Sequence, residues 1–290
     1  MSIFPLSKEP QPDEAEFNAF FPSKFSLSQF TSSKSDLEGA DYPQPYAGTG
    51  RILVICTDER YLEMANGTLF STGNHPIETL VPMYHLHKAG FEFDIATVSG
   101  LPAKFEFWAM PNDDEAITGL HARYLEQFRN PLALPDVVAR LGGADADYVA
   151  VFVPGGHGPL AGLPFSADVG AVLRWALDRD RHIISICHGP AALLACTPEV
   201  DGAPFPFAGY TITAFPDASD RMTPDIGYMP GHLTWQFGEK LKALGVSIAN
   251  SDPDKSTHRD RRLLTGASPF AANNLGQLAA RTLLADLAAG

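Results

Sequence analysis

The chain predicts an α/β protein, a doubly wound and mainly parallel sheet with a small cap. Two observations lead there. Continuous apolar runs alternate with helical segments along most of its 290 residues, and residues suited to chemistry fall just past the ends of those runs. Strands buried on both faces lose the polar alternation of half-exposed ones, and open parallel sheets collect reactive groups beyond their strands' carboxyl ends. A hydrophobic content of 45% against 19% charged residues suffices for a large core.

Residues 1–50 are polar and lack periodicity. Phe17, Phe20, Phe21, Phe25 and Phe30 predict an arm that lies on the body and packs with the cap, because disordered tails are poor in aromatics. The catalytic α/β domain is expected over 51–290. Ile52–Cys56 reads as its first strand and Pro76–Ala89 as a helix, with Pro76 at its first position and Gly90 at its end. Pro82 predicts a kink there. Phe93–Val98 is the second strand. Residues 100–140 break the rhythm with Trp108, Pro111 and a run of acids, and a helix is expected near Glu115–Phe128. This stretch is expected as the cap insertion. Next come the strand Tyr148–Val153, the turn Pro154–Gly158, a helix over Asp168–Arg179, the strand Ile183–Ile186 and a helix to about Leu194. Strands are expected at Thr211–Phe215, Val246–Ala249 and Arg262–Leu264, and helices at His232–Leu244 and Pro269–Ala288. The order is flavodoxin-like, as in class I amidotransferase-like folds.

The net charge of −13, from 34 acidic against 21 basic residues, repels phosphate backbones, so charge does not indicate nucleic acid as a partner. Three cysteines without a Cys-x-x-Cys pair fit a reducing, cytoplasmic setting. No secretory signal and no apolar run of membrane length is visible, so no membrane partner is expected. No phosphate-binding Gly motif follows a strand, so a nucleotide cofactor is not indicated.

The most informative stretch is Ile183-Ile184-Ser185-Ile186-Cys187-His188-Gly189-Pro190. A cysteine between a buried strand and a helix start occupies a nucleophile elbow. The helix dipole is expected to favour its thiolate, with His188 as proton acceptor. Cys56 and Cys196 read as buried small hydrophobes. Asp217 and Asp220 both follow the strand ending at Phe215, and either would orient the imidazole. Glu78, third in its helix, lies at the same sheet edge and can relay a proton. Gly155 and Gly156 can offer amides to an oxyanion, with His157 at hand for substrate. His87 and Glu92 flank a helix end and form a metal-like pair, with His121 the nearest third donor in sequence.

Together these residues resemble the ThiJ/PfpI superfamily, and most closely its heat-shock branch of bacterial glyoxalase III, protein deglycase and holdase chaperone proteins. The motifs that carry the resemblance are Ser71–Glu78, Val153–Gly158, Cys187–Pro190 and Ile226–His232. It implies a Cys187 nucleophile, His188 as its base, Glu78 against the sulfur and Asp220 orienting the histidine. It implies a lyase of the glyoxalase III type that converts methylglyoxal to lactate with no required cofactor. The same site would act as a deglycase hydrolase on early glycation adducts of proteins. It further implies a stress-response homodimer that binds unfolded proteins. Some members bind zinc through His, Glu and His; His87 and Glu92 match the first two, while the third position is Tyr124. Competing readings are a cysteine peptidase or amidase on the same elbow, and a non-enzymatic holdase, which needs an exposed apolar patch.

Overall fold

The computed structural model describes residues 5–143 and 147–289, so the first four residues of the expected arm and Gly290 lie outside it. Seven strands form the central sheet: β1 (Arg51–Ile55), β2 (Phe93–Thr97), β3 (Leu132–Ala133), β4 (Tyr148–Val153), β5 (His182–Ile186), β6 (Thr257–Asp260) and β7 (Leu263–Gly266). Their order is β6-β7-β5-β4-β1-β2-β3, and every pair is parallel except the edge hairpin β6-β7.

Alternate residues of the central strands feed two cores. Leu53, Ile55, Val151, Val153 and Ile183 face one, and Ile52, Val54, Phe152, Ile184 and Ile186 the other. Helix α1 (Pro76–Lys88) and the C-terminal helix α4 (Ala272–Ala289) cover the second core, and α2 (Glu115–Arg129) adds its apolar face there. Helix α3 (Ala167–Asp178) covers the first. Covering both faces is what lets the strands be apolar throughout.

Several expectations are corrected. The segment 100–140 does not stand apart. Its strand β3 extends the main sheet beside β2, and its helix α2 packs on α1. A smaller sheet forms instead from the arm and the residues after β1, in the order Gln11–Pro12, Ala19–Phe21, Leu69–Ser71, Tyr61–Glu63. None of the five arm phenylalanines is fully buried, and Phe17 is 89% exposed. Polar contacts hold the arm instead: Ser26 Oγ donates to Ile226 O at 2.7 Å, and Ser23 N donates to Gly227 O at 2.7 Å.

The expected strands at Thr211–Phe215 and Val246–Ala249 shorten to Thr211–Ile212 and Ser247–Ile248, which pair only with each other. The helix expected from His232 starts at Phe237. Helix α1 continues through Pro82. No helix among the described residues is long and apolar enough to cross a membrane.

Phe152, with no exposed surface at the centre of β4, anchors the second core. Phe152→Ala should cost about 3–5 kcal/mol by urea denaturation, the range for buried aromatic truncations. A loss below 1 kcal/mol would show that this core collapses around the gap.

Candidate active site

Cys187 directly follows β5 with φ at 60°, a left-handed conformation that only tight tertiary packing imposes on a side chain other than Gly, Asn or Asp. Two backbone bonds pin it: its N–H donates to Gly266 O at 2.9 Å, and its carbonyl accepts from Phe215 N at 3.0 Å. Gly189 follows because a Cβ there would lie 2.5 Å from both Ser185 Oγ and Val153 O. The succeeding helix, Gly189–Cys196, is of the 3-10 type and ends two residues beyond the expected limit near Leu194.

His188 places Nδ1 3.3 Å from Cys187 Sγ and Nε2 2.9 Å from Asp220 Oδ2. An ionised Asp220 accepts only, so Nε2 donates to it, and Nδ1 is left to face the sulfur. Of the two acids that spacing left open, Asp220 makes this contact, while Asp217 accepts from Gly238 N at 3.0 Å. Asp220 Oδ1 also meets His157 Nε2 at 3.1 Å. Burial opposes the Asp220 charge, yet His188 and His157 outweigh it and hold the carboxyl below its usual range. Burial and the neighbouring His188 lower His157 in turn.

Glu78 sits in the first turn of α1 with both carboxyl oxygens buried and without a full hydrogen bond. Burial pushes its pKa well up, and contacts with the Cys187 thiol and the Gly156 amide only temper the rise. Burial and the Glu78 charge likewise drive the Cys187 thiol well above its ordinary value. Burial thus works against the thiolate expected from the helix dipole. Cys187 is only 3% exposed, and burial beside Glu78 opposes its ionisation. Gly155 lies beneath the pair, where a Cβ would fall 2.0 Å from Glu78 Oε2 and 2.8 Å from Cys187 Cβ. It is a spacer rather than a wall residue. Gly156 and His157 do reach the cavity.

That cavity has a volume of about 480 Å³ and a mostly apolar lining that includes Cys187, His188 and Glu78. Sequence reasoning missed three of its polar residues. His75, the residue before α1, is buried with Nδ1 unpartnered, and burial with the nearby His157 and His188 lowers it to about 3. Tyr228 is pushed well up by burial and by Glu106. Glu106 is a second fully buried carboxyl. No periodic pattern marks it, since it lies in irregular chain, and only the aromatics flanking it hinted at burial.

The pair His87 and Glu92 does not make a divalent-metal cage. Tyr124 stands where a third ligand would be and donates its hydroxyl to Glu92 Oε2 at 2.6 Å, while Arg123 holds Oε1 at 3.0 Å. Burial and the Glu92 contact raise the Tyr124 phenol, so it stays protonated and cannot ligate as phenolate. His87 Nδ1, 3.7 Å from Glu92, has no hydrogen bond. His121 packs among Phe105, Phe107 and Phe128. The tight donor cluster found among the described residues is His157, His188 and Asp220, whose contacts are already internal.

Fold and site together define an α/β protein with a cysteine at a nucleophile elbow, flanked by a His–Asp pair and a buried glutamate. A family model described as the DJ-1/PfpI family matches residues 68–224. The protein named "Protein/nucleic acid deglycase HchA" of Escherichia coli O7:K1 is 61% identical over 282 residues, 97% of this chain and 98% of its own. The protein of the same name from Escherichia coli strain K12 / DH10B shows the same identity and coverage. Among solved structures, glyoxalase III of Candida albicans shares the fold with a TM-score of 0.60 and 22% identity, covering 80% of this chain and 97% of its own. Rapid Encystment Protein 24 KDa of Francisella tularensis gives 0.65 and 20%, covering 81% and 99%. The chain belongs to the DJ-1/PfpI family.

Two outcomes follow from this geometry. Glu78→Gln removes the charge that Glu78 gains once it ionises and that then opposes the thiolate, so the alkylation profile of Cys187 with iodoacetamide should move to lower pH. A move to higher pH would show that Glu78 stabilises the thiolate instead. After dialysis, wild type should retain substoichiometric zinc and Tyr124→His should gain tight zinc, read by metal analysis. Stoichiometric zinc in wild type would contradict the account of Tyr124.

Proposed function

We propose that the chain is a cysteine-dependent, glutathione-independent glyoxalase that converts methylglyoxal to lactate, and a deglycase acting on early glycation adducts. The carrying observation is the sulfur held between His188–Asp220 and the buried carboxyl of Glu78. In the first step the thiol passes its proton to His188 Nδ1, and Asp220 steadies the imidazolium. The sulfur then adds to the aldehyde carbon, whose oxygen takes the Glu78 proton. Glu78, now a carboxylate, removes the hydrogen on that carbon and returns it to the neighbouring carbon, while the proton of the first carbon's hydroxyl passes to the neighbouring carbonyl oxygen. The resulting thioester is hydrolysed: water gives hydroxide to the carbonyl and its proton to Glu78, while His188 reprotonates the departing sulfur. No bound cofactor enters any step.

The relatives' name extends to nucleic acid, which the charge of −13 did not suggest. A glycated base would need only the cavity and no phosphate-tracking surface. We further propose a cytoplasmic homodimer and a small cap built around the arm. A holdase role is a second reading. It is favoured by Phe30, Met222 and Phe270, which are 48%, 59% and 58% exposed and line the cavity.

One experiment separates these roles. Cys187→Ala should lose methylglyoxal turnover assayed without glutathione by at least about 10³-fold while keeping its circular dichroism spectrum, as removal of a nucleophile predicts. Suppression of client aggregation should survive the change. Retained turnover would end the enzymatic reading, and lost suppression would end the independent holdase.

A further inference from the structure

Glu106 belongs to none of the roles assigned above, although it lines the same cavity as the Cys187 sulfur with no exposed surface. Its Oε1 accepts from Thr72 Oγ1 at 2.6 Å and from the His157 amide at 3.4 Å. Its Oε2 is buried and has no partner. A carboxyl oxygen left without a hydrogen bond inside a protein is costly, and such an orphan calls for an explanation. The fixed oxygen explains the orientation of the group. The free one is available to whatever fills the cavity.

We propose that Glu106 is a second catalytic carboxyl, which hydrogen-bonds the carbonyl oxygen next to the aldehyde of the dicarbonyl substrate and moves protons between the two substrate oxygens. This rests on the proposed function. The proton balance closes. When Glu78 takes the hydrogen from the carbon bearing sulfur, the neighbouring carbonyl oxygen takes the Glu106 proton, giving an enediol. When Glu78 returns its hydrogen to the second carbon, the hydroxyl on the first gives its proton to Glu106. The thioester forms with Glu106 again protonated.

Two further features support this role. Burial raises the Glu106 carboxyl despite the opposing His157 and Thr72, which favours the acid form needed for donation. Glu106 also shares the lining of one cavity with Glu78 and Cys187, so a single small substrate can meet all three. The substrate class follows. A monocarbonyl aldehyde can add to the sulfur but offers nothing to Glu106, whereas a 1,2-dicarbonyl engages both carboxyls at once.

Glu106→Gln is the informative variant, because the amide oxygen can keep the bonds from Thr72 and His157 while the proton for transfer is lost. We expect kcat with methylglyoxal to fall by about 10²-fold, the low end for a proton-transfer group. The rate of Cys187 alkylation should stay within about twofold of wild type, because the thiol is not Glu106's target. Loss of alkylation in parallel with kcat would reduce Glu106 to a structural role, and unchanged kcat would remove it from the reaction. Should Glu106→Gln fail to fold, wild type answers the same question. An alkaline decline in kcat that single-turnover addition to Cys187 does not share supports the inference, and its absence overturns it. A wild type without methylglyoxal turnover would instead defeat the reading of the whole site.

Discussion

A carboxylate buried to within 1% of complete exclusion from solvent, Asp220, is the constraint from which the site follows. An isolated charge so deep would cost several kcal/mol, and removing one partner of a buried pair typically costs about 3–5 kcal/mol. Asp220 is tolerated because one imidazole meets each of its oxygens. The chain therefore has to bring His157 and His188, which follow β4 and β5, to one point with Asp220 in the helix Asp217–Met222, and the adjacent parallel strands set the two histidines side by side. Fixing the imidazole of His188 from behind leaves its other nitrogen a single task, facing the sulfur.

The opposite side of the sulfur obeys a different logic. Glu78 lacks a salt-bridge partner, so burial holds its proton rather than its charge. A neutral acid and a neutral thiol in contact are inexpensive to bury, and the reactive anion exists only while a substrate is present to receive it. A thiol kept in this form resists casual oxidation better than an exposed thiolate would.

Much of the core was legible because strands covered on both faces must be apolar throughout: β4 has the limits expected for it, and β1, β2 and β5 differ from theirs by one residue. Edge strand β6, with the sequence Thr-His-Arg-Asp, escaped because an edge exposed to water needs no apolar signature. The short strands near residues 211 and 247 looked like sheet members, but they find partners only in each other. Cys187, His188 and Glu78 were readable from a turn motif and a helix start. Spacing could not choose between Asp217 and Asp220, since both fall within one helical turn and only tertiary approach separates them. Glu106 was hidden because a buried carboxyl in irregular chain differs in sequence from any solvated one.

The left-handed backbone at Cys187 has an evolutionary edge to it. Glycine occupies that region of dihedral space without the steric penalty, of order 1–2 kcal/mol, that falls on a residue with a Cβ. A population screened for heat resistance alone would drift toward glycine at this corner and grow sturdier as it lost its chemistry. The thiol persists there only under selection for what it does.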